Sequence, residues 1–412
     1  MLSNQVFLQC TCLRLKSCRY VGISIKLLLT LHLIFYALYS EAESASLDAS
    51  AIPRPSADFA VYVNELREYL SATQMPQRTS GAVDINLPFE LRANTGVDYQ
   101  GKFLLIHGLN DSPFVWRDIA ARLADRGFDV RAILLPGHGN TPKAQLSISF
   151  KDWLASAREH VKLYREPDSN FYIGGFSMGG VIATLLATET DFVDGLLLFS
   201  PAYRARMQSR LRWAGIYARF KPWVFGGMII EDNPAKYNSI PINGASQYYK
   251  TTRALQRHWP RKALEIPVLV VASDNDSVVD VNHMKRAVRK GFTSAKRVIV
   301  YNNQTAPQTS PVDVEYRNAQ YPDLRILNQS HMSVMIAPDN PLYGIARGVL
   351  VCNGNEWAIF SACLRHTGTH WYGAQHTPSP DGIPVARTTF NPDIDYVMQA
   401  FDEVFQQPHV KR

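Results

Sequence analysis

Between Lys102 and Tyr301 the chain alternates short, uninterrupted apolar runs with longer stretches of helical spacing. Phe103–Ile106 is a continuous apolar run, the kind a strand needs when both its faces are covered. Phe114–Arg126 reads as a helix and ends at Gly127. Asp129–Leu135 is the next strand, stopped by Pro136-Gly137, and Phe150–Tyr164 is amphipathic up to the approach of Pro167. A strand at Asn170–Phe176, a helix at Met178–Ala187 and a strand at Gly195–Phe199 continue the pattern. Ile266–Ala272 and Arg297–Tyr301 supply two more strands. Strands alternating with helices predict an α/β fold, with a mostly parallel central sheet and helices on both faces. The alternation breaks over 201–262. That stretch is far longer than the usual connection of about 2–6 residues, so it is an insertion with its own structure. Residues 340–385 read as irregular and rich in Gly, Pro and His, and Asp393–Phe405 as a closing helix.

Composition narrows the class. The 412 residues are 46% hydrophobic and 19% charged, which excludes a mainly disordered, collagen-like or coiled-coil protein. Only one long apolar run exists, so a multi-span membrane protein is excluded too. It lies in the first forty residues. Arg14, Lys16, Arg19 and Lys26 precede or open the run Leu27–Tyr39, no Asp or Glu occurs among them, and small residues Ser40, Ala42 and Ser44 follow. A basic start, a short apolar centre and a small-residue exit predict a secretory signal peptide over 1–44. The run is shorter than the roughly 20 residues of a full span. An uncleaved membrane anchor stays open, because Val21–Ile25 extends the run past Lys26. Either way the protein is expected to be exported, periplasmic or secreted, or membrane-anchored. Residues 45–100 read as a linker and N-terminal extension with one helix near Ala60–Leu70, and 101–412 as the main domain.

Five cysteines divide in the same way. Cys10, Cys12 and Cys18 fall in the leader, leaving Cys352 and Cys363. In an exported chain that pair is a disulfide candidate, with two buried free thiols as the other reading.

Gly175-Phe-Ser-Met-Gly179, followed by Gly180, sits between an apolar strand and an apolar helix. In such a strand-turn-helix the turn is so tight that Ser177 takes strained backbone angles, and side chains at Gly175 or Gly179 would collide with their neighbours. The hydroxyl then stands above the sheet at a helix N-terminus, where developing negative charge is favoured.

With this motif, residues 101–335 resemble the α/β-hydrolase superfamily, in particular its monoacylglycerol-lipase-like and serine-aminopeptidase-like branch. The resemblance rests on His107-Gly108-Leu109, Leu135-Pro-Gly-His-Gly139, the Ser177 turn, Asp276-Ser-Val-Val279 and Ser330-His331-Met332-Ser333, in the family's order of Ser, acid, His. It implies that Ser177 is the nucleophile, His331 its base and Asp276 the acid that orients the base. His107 and His138 are expected to be structural. Asp274 and Asp280 compete with Asp276; the family's spacing selects Asp276, although Ser273 stands where the family has Gly. The oxyanion donors are expected to be the backbone amides of Met178 and, by resemblance, Leu109. No cofactor is implied.

Cys363, His366, His370 and His376 have metal-ligand residue types, but their loop context favours a satisfied surface loop, and no metal is expected. Gly137-His-Gly139 is followed by no Gly-Lys-Ser/Thr and is no phosphate loop. By resemblance, the insertion 201–262 is a cap over the site. It holds twelve Lys or Arg against Glu231 and Asp232, interleaved with Trp213, Tyr217, Phe220, Trp223 and Phe225. Such a cap suits a membrane surface of anionic lipid or acidic substrates. The competing reading is a solvated basic face over a packed aromatic core. Nucleic acid is not an expected partner. The net charge of +7 is therefore uneven: the leader and cap outweigh it, so the remaining body is acidic.

The expected activity is hydrolysis of a lipid or small carboxylic ester. Amide cleavage by the same chemistry, acyl transfer, and a non-catalytic binding protein on this fold are the alternatives. Oligomeric state is left open.

Overall fold

The computed structural model describes residues 52–75, 81–303, 314–346, 348–352, 357–374 and 377–405. The expected signal or anchor, 1–44, lies outside the described residues, as does His376. Eight strands form one sheet: β1 Phe89–Leu91, β2 Gly101–Ile106, β3 Phe128–Ile133, β4 Phe171–Phe176, β5 Gly195–Phe199, β6 Val268–Ser273, β7 Lys296–Asn302 and β8 Val314–Asn318. Their order is β1-β3-β2-β4-β5-β6-β7-β8. β1 runs antiparallel to β3, and every other neighbouring pair is parallel.

The period-2 alternation of strand side chains builds two apolar layers. Phe103, Leu105, Leu197 and Phe199 face one layer, with helices Arg117–Ala124 and Ile394–Phe405. Leu104, Ile106, Leu196 and Leu198 face the other, with helices Phe150–Tyr164, Met178–Glu189 and Val281–Gly291. Burying each such side chain is worth about 1.5–3 kcal/mol. The helix Met178–Glu189 is buried on all sides from Met178 to Ala187, because the sheet lies under it and the insertion's long helix, Ile242–Gln256, lies across it. That explains its all-round apolar sequence.

Four expectations are corrected. The sheet begins inside the segment expected to be an N-terminal extension, since β1 pairs Phe89–Leu91 with Val130–Ala132. The single helix expected over Phe114–Arg126 is a 3-10 turn, Pro113–Trp116, followed by Arg117–Ala124, with Pro113 setting the first turn. The region expected to be irregular carries helix Trp357–Arg365 and strand β9, Trp371–Gly373, parallel to β10, Val385–Arg387. Tyr343, Cys352 and Cys363 from that region are buried in the first apolar layer, and Cys352 and Cys363 are joined with Cα atoms 5.8 Å apart. Lastly, the aromatics interleaved with the insertion's basic residues do not form its packed core, which is built instead from Tyr203, Tyr248 and Trp259. Of its five interleaved aromatics only Trp223 is buried, while Phe220 is 72% and Tyr217 61% exposed.

Candidate active site

The site forms where β2, β4, β5 and β6 end side by side, at the carboxyl edge of a parallel sheet. β4 runs straight into the Ser177 turn. Ser177 has φ 54° and ψ −116°, a left-handed conformation that a non-glycine residue adopts only when its surroundings hold it there. Those surroundings are tight. A Cβ on Gly175 would meet Gly180 Cα at 2.5 Å, and one on Gly179 would meet Ile106 O at 2.1 Å. Gly108 packs on Ser177 itself, since a Cβ there would lie 3.0 Å from Ser177 Cβ.

His331 Nε2 lies 2.9 Å from Ser177 Oγ, and His331 Nδ1 lies 2.6 Å from Asp276 Oδ2. The Val278 and Val279 amides donate to Asp276 Oδ1 at 2.7 and 2.9 Å. The tight turn Asp276-Ser-Val-Val279 thus uses its own backbone to fix the acid. Burial opposes the charge on Asp276, but the His331 ring and these two amides hold its carboxyl below the ordinary range. With Oδ2 accepting, His331 carries its proton on Nδ1 and presents Nε2 to the serine hydroxyl.

The competing acids are occupied elsewhere. Asp274 pairs with Lys285 at 3.1 Å, and Asp280 caps the helix Val281–Gly291 through the His283 amide at 2.9 Å. Ser273 has a task of its own: its hydroxyl donates to Gln329 O at 2.7 Å, tying the acid loop to the loop that carries His331. His107 and His138 lie in the two glycine turns. The Leu135 amide donates to His107 Nε2 at 3.0 Å, which leaves Nδ1 protonated and donating to Gly108 O at 2.7 Å. His138 lies with its ring centre 4.8 Å from that of His107, and burial lowers its pKa to about 4. Both rings are therefore neutral struts between turns. The amides of Met178 and Leu109 donate no hydrogen bond to a described residue. His366 and His370 touch each other, but Cys363 is in the disulfide, and among the described residues no group of His, Cys, Asp or Glu is arranged to hold a metal.

Three charged groups around the site were not read from the sequence. Asp111 is buried beyond the Gly108 turn. Burial raises its pKa, against the influence of Lys236 and His331 nearby. Lys236 comes from the insertion, whose Tyr237 amide donates to Asn110 O at 2.8 Å. Arg387 comes from β10. Its Nη2 donates to Ser277 Oγ at 3.0 Å, and its Nε is buried with no partner. Burial lowers the Arg387 pKa, and the Asp276 charge opposes that effect. The C-terminal region also braces the histidine loop: Ser330 Oγ donates to Thr388 O at 2.7 Å, and Thr388 Oγ1 donates to Asn328 O at 2.7 Å. Only the residue types around His331 give a local signal for such contacts; their partners lie more than fifty residues away.

The sheet order, the strained serine turn and the loops converging on it are those of an α/β-hydrolase. The model of the family described as serine aminopeptidase, S33, matches residues 98–305, slightly more than half of the chain, and the chain belongs to that family. It is similar to the thermostable monoacylglycerol lipase of Bacillus sp. (strain H-257), with 24% identity over 223 residues that span 52% of this chain and 86% of that protein. Among solved structures, one from the metagenome-derived lipolytic enzymes LipS and LipT is 20% identical with a TM-score of 0.45, covering 56% of this chain and 88% of that one. A soluble variant of monoglyceride lipase from Saccharomyces cerevisiae, solved with a substrate analogue, is 16% identical with a TM-score of 0.42, covering 52% and 81%. The chain is thus an α/β-hydrolase with lipase-like and esterase-like relatives.

Proposed function

We propose that this protein is a serine hydrolase that cleaves a carboxylic ester, of a lipid or of a small molecule, through an acyl-enzyme. The row Ser177 Oγ, His331 Nε2, His331 Nδ1, Asp276 Oδ2, with contacts of 2.9 and 2.6 Å, carries the reading. In it, Ser177 Oγ forms a bond to the ester carbonyl carbon while His331 Nε2 takes the hydroxyl proton. The oxyanion is held by the Met178 and Leu109 amides, free to donate and close to the serine. His331 then returns its proton to the departing alcohol as the C–O bond breaks. Water, deprotonated by His331, releases the acid from Ser177. Asp276 keeps the ring oriented and offsets its positive charge. The monoacylglycerol lipase likeness supports a lipid ester, and the amide-cleaving alternative draws on the family's own description.

A fluorophosphonate probe tests the chemistry. Labelling of the wild type but not of Ser177→Ala is expected. A folded wild-type chain that takes no label would instead support a binding protein that keeps the fold. A panel of p-nitrophenyl esters of graded length alongside aminoacyl amides ranks ester against amide, and preference for the amides would reverse the ranking proposed. The same proposal has residues 1–44 exporting or anchoring the chain. It predicts that the purified protein either lacks Met1 or fractionates with membranes; a soluble cytosolic chain beginning at Met1 would contradict it.

A further inference from the structure

A cavity of about 570 Å³ lies away from the serine, between the insertion and the helix Val281–Gly291. Six cationic side chains reach it: Arg204, Arg212, Arg253, Arg261, Arg286 and Lys290. No carboxylate lines it. Arg204 approaches Asp280 at 3.6 Å, and the other five make no ion pair among the described residues. The floor is rigid. Trp259 is buried, donates its indole N–H to Gly291 O at 2.9 Å, and rests on the Tyr203 ring with centroids 4.7 Å apart. His283, at the edge, is held below its ordinary pKa by burial and by Arg204 and Arg286, a sign of how much positive potential gathers there.

Two ordinary explanations fall short. Cations at helix C-termini complement the helix dipole, which accounts for Arg253 and Lys290. It does not account for Arg204, Arg212, Arg261 and Arg286, which lie outside those two last turns yet converge on the same space. A solvated basic face needs no cavity and would be laced with acids, as in a mixed surface. Like charges held together cost free energy, and that cost is recovered when an anion with several negative oxygens enters.

The exposed apolar residues that follow Arg212 indicate where such an anion would come from. The Arg212 guanidinium lies over the ring of Trp213, which is 48% exposed. Ile216, Tyr217 and Phe220 follow it in sequence and are exposed by half or more. A soluble polyanion has no use for exposed apolar side chains, whereas a membrane interface rewards both parts: aromatic and aliphatic side chains enter the headgroup boundary while basic groups meet lipid phosphates.

We propose that this cavity is a binding site for the phosphate-bearing headgroup of an anionic phospholipid, seated when the exposed apolar residues of the insertion enter a membrane surface. The site is separate from the serine and does not depend on the hydrolase reading.

The test uses the full chain carrying Ser177→Ala, so that no lipid is consumed, with and without Arg253→Gln, Arg261→Gln and Arg286→Gln together. Binding is measured by co-sedimentation with phosphatidylcholine vesicles, with and without phosphatidylglycerol. An unchanged melting temperature establishes that the triple variant is folded. The parent is expected to bind the anionic vesicles more tightly than the neutral ones. The triple variant is expected to lose that preference by on the order of a hundredfold, at roughly fivefold per cation. Added salt should weaken the preference. Inorganic pyrophosphate should compete in the parent if lipid phosphate is what the cavity reads. Three results would overturn the proposal: equal binding to both vesicles, an undiminished preference in a folded triple variant, or tighter binding to a single-stranded oligonucleotide that the same variant abolishes. Fluorophosphonate labelling of the unmodified chain is scored independently, so failure of either proposal leaves the other standing.

Discussion

Gly179 is the position at which the serine turn touches the next strand, and Gly179→Ala isolates what that closeness does. The new Cβ would lie 2.1 Å from Ile106 O, 2.6 Å from His107 O and 2.7 Å from Ile106 C. An ordinary C···O contact is about 3.3 Å or more, so the helix and the end of β2 must separate by about 1 Å. All three atoms are backbone, so no rotamer change can absorb the clash. Overpacking of this kind costs about 1–3 kcal/mol, of which the better helix propensity of Ala offsets up to about 1. A net loss of up to about 2 kcal/mol in a folded unit of this size lowers the melting temperature by up to about 3 °C. The effect on rate should be larger. The separation carries the His107–Leu109 turn away from Ser177, and a displacement of about 1 Å in a positioning group costs about a hundredfold. Calorimetry and the second-order rate of fluorophosphonate labelling, both taken well below the transition, read the two effects separately. Gly227→Ala serves as the control, because nothing lies within 4 Å of a Cβ there. A Gly179→Ala protein with the melting temperature and labelling rate of the wild type would refute the idea that this contact positions the site.

Other expectations concern parts further from the serine. His160 is fully buried, both ring nitrogens lack partners, and burial lowers its pKa to about 3. Its proton is taken up on unfolding, so stability is present near neutral pH and falls as pH drops below the unfolded value of about 6.5, with a loss of about 2 kcal/mol between pH 7 and 5 from this residue. His160→Leu should flatten that part of a stability–pH profile measured by denaturant unfolding, and an unchanged slope would count against it. Replacing Cys352 and Cys363 together by Ala opens a short loop, with 11 residues of sequence separation. It should cost about 3 kcal/mol, seen as a melting temperature no longer sensitive to reductant; an unaltered melting temperature would rule this out. Arg387→Met removes a buried positive charge beside the Asp276–His331 pair, which Asp111 and Tyr248 also face, with Lys236 next to Asp111 and Arg387. It should lower kcat/KM and move the acidic limb of its pH profile upward, because a cation that opposes proton uptake at the site is gone. Arg387→Lys, keeping the charge, should leave the limb in place; a limb that moves equally in both variants would contradict an electrostatic role.

The sheet was most legible where its strands are covered on both faces. Phe103–Ile106 and Gly195–Phe199 are apolar throughout because helices lie above and below them. The edges were not legible. β1 and β8 are short, partly exposed, and carry Glu90, Glu315 and Arg317, so they lack the apolar run that marks a buried strand. The triad candidates could be named because each sits in a short, chemically demanding segment. Asp276 stood out only by the spacing of the family the chain resembles, and the structure occupies Asp274 and Asp280 elsewhere. Arg387 and Lys236 had no such segment: they reach the site through tertiary packing, and a lone basic residue after an irregular stretch carries no local signal. The aromatics of the insertion show the same limit. Their interleaving with Arg and Lys was plain, but spacing alone did not say that Trp223 packs inward while Phe220 faces solvent.

The hydrogen bonds from Ser330 to Thr388 and from Thr388 to Asn328 bear on how this protein can be cut down. A fragment cloned to the limits of the family match would stop at residue 305, before His331. One extended just past Met335 would contain Ser177, Asp276 and His331, yet leave the histidine loop without the partner that pins it. Such a fragment would hold every residue a motif search asks for and still present a mobile base. For this chain, the smallest piece worth testing for activity runs through the helix that closes at Phe405.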